Sequence, residues 1–534
     1  MATAGSQNAH PLYQEMKPTW AAALDVYEGL GGFLDPERPY LTPHPREWLD
    51  HSVKVEATAD KPASSAPNPN PSNPSPKLKM RRKLARYENI AESILTTVSG
   101  ALFLHPPTRT FGKDTKNDSL KDWRTDVDGT GTAIDDFMQQ AWTAAGVFGH
   151  TIILVDKDGE AGATAADATR PILSRYTPLD MIDWIVDERG QLAKVKFLEA
   201  APREDFTKPY SVEDVRVRVV DETSWTLYDR AGTQLETGEH GFGRLPVVVL
   251  YSKRRALTPV IGKGVMGDPY LHIDLYNLVS EVRELLRNQT FGILNIPLGS
   301  GTDASSVERE QTILGQQVGT GGVMFSTHPA NYLSPDGTNA QIYHEHMDRL
   351  ARMIYRLASA PWDGDSKDAE SADSRRMKQS ETTNVLAKYA SELQQAELAI
   401  TELVYRAQYG PDRWQKQWDA EQPSVAYSAD FAPPDVEAIA TAAAEVIGLD
   451  LGPTATKELK KRIVRSVLQD ADQELLKAID TEIDAQEIKT AEEKRQDMLA
   501  TMTARAGQGD GGEDNQSQDP PPDQSDAQSG QEAA

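Results

Sequence analysis

The chain has 534 residues, 39% of them hydrophobic, a formal net charge of −25 and no cysteine. That length and apolar content suffice for a large buried core, while the missing thiols exclude disulfides, zinc–thiolate sites, iron–sulfur clusters and cysteine nucleophiles and fit a reducing cytoplasm. The 81 acidic residues against 56 basic ones argue against a broad basic face that grips phosphates, and no stretch approaches the roughly 18 uninterrupted apolar residues of a membrane span.

The opening MATAGSQNAHPLYQEM lacks the basic-then-apolar order of a secretion signal. Further on, Asp60–Pro76 repeats Pro and Asn and offers nothing to bury, so it reads as a disordered excursion, without strand ladders, inside an N-terminal helical region. Lys77–Phe103 has helical periodicity, with Leu84, Ile90, Ile94, Leu95 and Val98 on a broad stripe and Pro106-Pro107 as its stop. A second helix is predicted across Ile134–Gly146.

The period then changes. His150–Asp156, residues 193–200, Val215–Val220, Ser224–Asp229 and Pro246–Tyr251 read as strands punctuated by Gly, Asp and Pro, which makes 150–251 β-rich. After Pro269 the helical pattern returns in YLHIDLYNLVSEVRELLRNQ, enough to span roughly 30 Å. Phe291–Pro335 is Gly-rich and extended, with ILNIPL and GGVMFS. Helix resumes at about Asn339–Leu357, breaks at the polar loop SAPWDGDSKDAESADSR, and resumes again from Met377 to Gly410. A helix, a short mixed insert and a returning helix describe a hairpin whose tip projects from the body and is well placed to bind a partner.

Residues from Pro433 to about Ile479 read as a small helical module with caps and stops at Pro434, Gly448 and Pro453. From about Ala506 the chain is acidic and rich in Gly, Gln, Ser and Pro, the composition of a disordered tail.

Motifs for bond chemistry are missing. GTGGVMF and GFGRLP lack the Lys-Ser/Thr that completes a phosphate loop, so any ATP hydrolysis would belong to a partner, and neither G-x-S-x-G nor H-E-x-x-H occurs. His344-Glu345-His346-Met347-Asp348 is the most metal-like word, but histidines at i and i+2 of a helix point about 200° apart; surface polar residues are the plainer reading. Asp135-Asp136 reads as a solvated helix face. No catalytic residue, metal site or cofactor is expected. Trp184, Trp225, Trp414 and Trp418 are scattered without basic interleaving and read as packing rather than as base-stacking platforms; Trp362 sits in the polar loop. Near it, Lys367, Arg375, Arg376 and Lys378 either touch phosphates or form a solvated loop and helix start. The apolar stripe of Leu386–Val404 is either a seam towards a second chain or packing within its own module.

Several short words recur along the chain in a specific order: Tyr13, Trp20, Asp25 and Gly29 with PYL at Pro39–Leu41; RYENIAESILTTVSGALFLHPP at Arg86–Pro107; DVDGTGT at Asp126–Thr132 followed by GHTIILVD; RPILSRYTPLDMIDW at Arg170–Trp184; Leu245-Pro246; the helix Asp268–Gln289 with its Gly-rich sequel; SETT at Ser380–Thr383; and SADF at Ser428–Phe431. Together they resemble bacteriophage portal proteins over roughly Tyr13–Leu468, most closely a divergent siphophage-like portal family that carries only a domain-of-unknown-function label.

The resemblance implies an α+β, mainly α, portal fold with wing, stem, clip and crown regions, and a ring, usually of twelve subunits, at one capsid vertex. Residues 1–267 would be mostly wing, Asp268–Thr290 and Asn339–Leu357 the two stem helices, 291–338 the clip, 358–376 a channel-facing tunnel loop carrying Trp362, Lys367, Arg375 and Arg376 with Lys378 just beyond, 377–431 the long wing helix and its return, 432–505 the crown and 506–534 the tail. It implies contacts with a terminase large subunit, a head–tail adaptor, and capsid or scaffolding protein. Double-stranded DNA would pass through without sequence specificity or bond chemistry, in a virion assembled in the host cytoplasm. The alternatives are another head–tail connector or minor capsid ring protein, which would lack the hairpin, and a metal-dependent hydrolase built on His344, His346 and Asp348.

Overall fold

The computed structural model describes residues 8–34, 40–43, 52–54, 65–67, 76–111, 119–158, 170–201, 215–290, 293–297, 323–326, 329–333, 338–360, 372–428 and 431, with short stretches between 456 and 485. The chain divides into two compact units, Met1–Phe431 and Ala432–Ala534. Helices and mostly antiparallel strands are segregated in the first, an α+β arrangement.

Helix α1 (Pro11–Glu28) starts where His10 Nδ1 accepts the Leu12 amide and stops at Gly29, whose left-handed φ of 66° reverses the chain. It buries Tyr13, Trp20, Ala22, Ala23 and Val26. The excursion at Asp60–Pro76 is not wholly without pairing: β1 (Ser52–Lys54) and β2 (Ser65–Pro67) form an antiparallel pair, with Pro67 at its end opposite Ser52. A terminal position on a two-stranded ribbon tolerates the missing amide hydrogen.

The single helix predicted over Lys77–Phe103 is two, α2 (Pro76–Leu84) and α3 (Ile90–Leu102). Asn89 accepts from the Glu92 amide while its own amide reaches the Glu92 carboxylate and Tyr27 O. This local capping arrangement restarts the helix and overrides continuous periodicity. Strand β3 (Thr108–Thr110) follows, then α4 (Ile134–Phe148), a helix buried around most of its circumference by Phe137, Met138, Ala141, Trp142, Ala145 and Phe148.

Among the described residues of 150–251 stand eight strands, three more than the five predicted: β4 (His150–Asp158), β5 (Arg170–Tyr176), β6 (Met181–Val186), β7 (Leu192–Ala200), β8 (Val215–Val220), β9 (Ser224–Tyr228), β10 (Gln234–Glu239) and β11 (Val247–Tyr251). They form a five-stranded antiparallel meander, β10-β9-β8-β7-β6, and a three-stranded sheet, β11-β4-β5. β10, QLETGE, escaped prediction because it is exposed along most of its length and shows no apolar alternation.

The remaining elements are α5 (Pro269–Thr290), β12 (Ile293–Pro297), β13 (Val323–Ser326), β14 (Asn331–Leu333), α6 (Thr338–Ala358), α7 (Ala372–Tyr409), α8 (Trp414–Glu421) and β15 (Ser424–Ala426), the last pairing with β3. One core joins α1, α3, α4, the β4 sheet and α7. Leu393, Ile400, Leu403 and Val404 of α7 are wholly buried in it, each worth about 1.5–3 kcal/mol of burial, so that part of the Leu386–Val404 stripe packs inside its own unit. In the second unit α9 (Gln473–Ala485) is held by Lys461–Asp484 at 2.7 Å and by Lys457 Nζ on Asp484 O at 2.6 Å.

Candidate functional site

The candidate site is the hairpin formed by α5, the β12–β14 sheet and α6. Helix α5 begins with Pro at its first position and with Asp268 Oδ1 accepting the Tyr270 amide, a start signal written entirely in local sequence. It returns along α6 in the opposite direction. Gly267, just before α5, lies against Leu357 near the end of α6, where an added Cβ would stand 3.3 Å from that of Leu357. Farther along, Tyr343 OH near the start of α6 donates to Glu281 of α5 at 3.1 Å. The seam is apolar: Ile273 and Val282 are buried on α5, and Leu350, Ala351, Ile354 and Ala358 on α6.

The hairpin is rooted at its base and strapped on its flank. Ile273, Ile354 and Ala358 belong to the main core. Asn277 accepts from the Thr42 amide at 2.8 Å and donates to Tyr40 O at 3.0 Å, while Arg81 of α2 lies 3.8 Å from Glu284. At the other end, β12 pairs in parallel with β13 and antiparallel with β14. The buried Asn295 at its centre donates to Pro329 O and Asn331 Oδ1. Tyr332 on β14 stands 72% exposed.

Helix α7 is the second long element, 38 residues or about 57 Å. Ion pairs brace its C-terminal half: Arg254–Glu392 at 2.7 Å, Arg109–Glu397 at 2.5 Å and Arg244–Glu402 at 3.3 Å. Arg109 also holds Asp135 of α4 at 2.6 Å, and Tyr427 OH donates to Glu397 at 2.6 Å. Burial alone would lower the Arg109 pKa, but Glu397 and Asp135 more than reverse this and keep the guanidinium charged. Burial, reinforced by Glu397, pushes the Tyr427 phenol well up, so it stays a donor.

The basic residues assigned to the tunnel loop separate. Trp362 and Lys367 lie outside the described residues. Arg375, Arg376 and Lys378 fall on the first turns of α7, which starts at Ala372. The loop reading of 358–376 therefore ends too late: a polar run without Gly or Pro, ADSRRMK, is helix-competent, and polarity alone does not make a loop. Sequence reasoning missed Arg349, Arg352 and Arg356, all exposed on α6; their i, i+3, i+7 spacing places them on one outward stripe.

His344, His346 and Asp348 are likewise exposed on α6, and no group of three potential metal-ligating side chains occurs among the described residues. No helix among them is long and apolar enough to cross a membrane. Trp184 is stacked on His10 at 4.1 Å, Trp225 lies under Arg218, Trp414 under Arg406, and Trp418 against Tyr405; all four are engaged in packing. The DVDGTGT word builds a turn: Asp126 accepts from the Gly131 amide and pairs with Arg170 at 2.8 Å, and Asp128 accepts from the Thr130 and Thr132 amides. A cavity of about 450 Å³ beside β11 is lined by Val247, Val249, Tyr251, Val260 and Ile261, with Arg244 and Arg254 at its edge already paired to α7. Among the described residues its lining includes no His and so offers no nucleophile–histidine pair.

No family model matches the chain, and no curated protein is similar to it. Among solved structures it is similar to a chain of the neck of an empty gene transfer agent (GTA) particle computed with C6 symmetry, at 12% identity and a TM-score of 0.39, covering 70% of this chain and 89% of that one. It is also similar to a chain of the virion of a native gene transfer agent particle, at 14% identity and a TM-score of 0.36, covering 70% and 89%. A third similarity is to a chain of the neck of a native particle computed with C12 symmetry, at 12% identity and a TM-score of 0.34, covering 67% and 83%.

Proposed function

We propose that the chain is the portal protein of a phage-like particle: a ring of about twelve copies at one capsid vertex, through which double-stranded DNA enters and leaves. The observation that carries this reading is the α5–sheet–α6 hairpin, rooted in the main core at one end and presenting a separate three-stranded sheet at the other. It occupies the place that the ordered sequence words assign to stem and clip. The sheet then serves as the docking surface for a terminase large subunit and later a head–tail adaptor, and the wing meets capsid or scaffolding protein.

Charge supports a passage and not a grip. Copies of −25 each in such a ring total about −300, and a like-charged surround does not hold duplex DNA tightly. On this reading the protein performs no bond chemistry; hydrolysis is the motor's. Native mass spectrometry of the purified chain with particle imaging tests it. A closed ring with an axial opening of duplex width is expected, whereas a stable monomer or dimer across assembly-permissive buffers would sink the proposal.

A further inference from the structure

One surface stands against the acidic character of the chain. Helix α2, PKLKMRRKL, carries five cations and no anion. Its inner side is occupied: Leu78 is buried, and Arg81 is buried between Glu284 and Thr42 O. At 100° per residue the opposite arc holds Lys79, Met80, Lys83 and Leu84, all exposed, with Met80 at 51%. Leu30 and the 69% exposed Leu34 lie beside it, because Phe33 between them stacks on Tyr87 at 3.9 Å in the same small aromatic cluster that takes in Leu78 and Ala85. Four large exposed apolar side chains rimmed by lysines are the anatomy of a protein interface. A phosphate backbone would reward the lysines and not the leucines.

The complementary surface is on the same chain. Strand β10 is an edge of the five-stranded sheet among the described residues, with Glu236, Glu239 and the apolar Leu235 exposed. The sheet's other edge, β6, meets the start of α1 through the His10 amide on Ile182 O, whereas α2 packs at the far end of α1, beyond its roughly 27 Å length. Opposite charges on two separate patches cannot satisfy each other within one copy, but they can between successive copies in a head-to-tail arrangement.

Building on the ring reading, we infer that α2 of one copy crosses the β10 edge of the next, Lys79 and Lys83 reaching Glu236 and Glu239, which their three-residue spacing puts on opposite faces of that edge strand. The test uses the full chain in two charge-reversed forms, Lys79→Glu/Lys83→Glu and Glu236→Lys/Glu239→Lys, each checked for unchanged monomer unfolding. Each alone should assemble only at protein concentrations at least tenfold above the parent's. Their equimolar mixture, with one variant isotope-labelled, should recover rings whose native mass lies midway between fully labelled and unlabelled rings, as equal incorporation of both variants requires. Variants that assemble like the parent, or a mixture that stays unassembled, overturn the inference while leaving the ring intact. Normal assembly with lost retention of a short DNA duplex overturns it in favour of a nucleic-acid surface. A parent that never assembles overturns the ring reading as well.

Discussion

Arg109 on β3 reaches across 288 positions of sequence to Glu397 on α7, with Nε 2.5 Å from Oε1 in a site where both side chains are almost wholly buried. A buried pair of this kind adds little net stability over an apolar pair of the same shape, yet removing one partner strands the other charge. Arg109→Ala should therefore cost about 3–5 kcal/mol in urea unfolding, and Glu397→Ala less, because Asp135 still pairs with the guanidinium. Replacing both with leucine should recover much of that loss. A single substitution costing under about 1 kcal/mol would mean that the pair is as cheap as a surface one.

His150 opens β4 with its ring fully buried between Trp20 and Tyr251, and it accepts the Gly262 amide through Nδ1 at 3.3 Å. Burial, with a smaller contribution from the Arg255 charge, depresses its pKa to about 3. The unfolded chain takes up this proton near pH 6.5 and the folded chain refuses it, so this contribution to stability is complete above pH 6.5 and falls away as pH drops towards 3. His150→Gln, which keeps an acceptor without a titration, should flatten the acid side of the stability profile between those limits. An unchanged acid slope would assign the loss to other groups.

Gly149 and Gly262 bring two backbones together where α4 turns into β4. A Cβ on Gly262 would sit 1.9 Å from Gly149 O, and Gly149 has φ of 99°. Neither atom belongs to a flexible side chain that could move away. Gly262→Ala should destabilise by more than about 2 kcal/mol, read as a fall in thermal midpoint. Gly190→Ala is a control in which the left-handed φ of 77° is strained but the space is open, and its loss should stay near 1 kcal/mol.

Long periodic elements were legible in the sequence. α4, α5, α6 and most of α7 stand where their apolar spacing put them, because each has a strong inward face and an evident start or stop. What escaped was decided by something other than periodicity. The Asn89 cap breaks one helix in two, and β10 takes its place from its neighbour β9 rather than from its own pattern. The start of α7 was masked by charge, which resembles a loop in sequence and suits a helix surface in structure.

The candidate site was legible as a hairpin and not as a set of residues. A helix–insert–helix order is local information, whereas the partners that fix it are far apart: Asn277 with Tyr40, Glu284 with Arg81, and Glu397 with Arg109. No spacing rule connects positions more than two hundred residues apart, so the braces become visible only in three dimensions. The exposed arginines 349, 352 and 356 are legible from their i, i+3, i+7 spacing on a helix.

The hairpin's tip and root should separate by mutation. Because α5 and α6 carry their own seam through Tyr343–Glu281, Leu350 and Ile354, replacing residues 291–337 with a short Gly-Ser linker should leave the body folded. A flexible loop closing two ends already held near each other costs only a few kcal/mol, and that cost grows slowly with length. On the proposed reading, assembly into rings should survive, whereas co-purification of the terminase large subunit should be lost together with the sheet. Tyr343→Phe is the contrasting change: it removes one hydrogen bond worth about 1 kcal/mol from the seam and leaves the sheet, so terminase binding should persist. Loss of rings in the linker variant, with the monomer still folded, would place subunit contacts in the sheet itself and move the docking surface elsewhere on the chain.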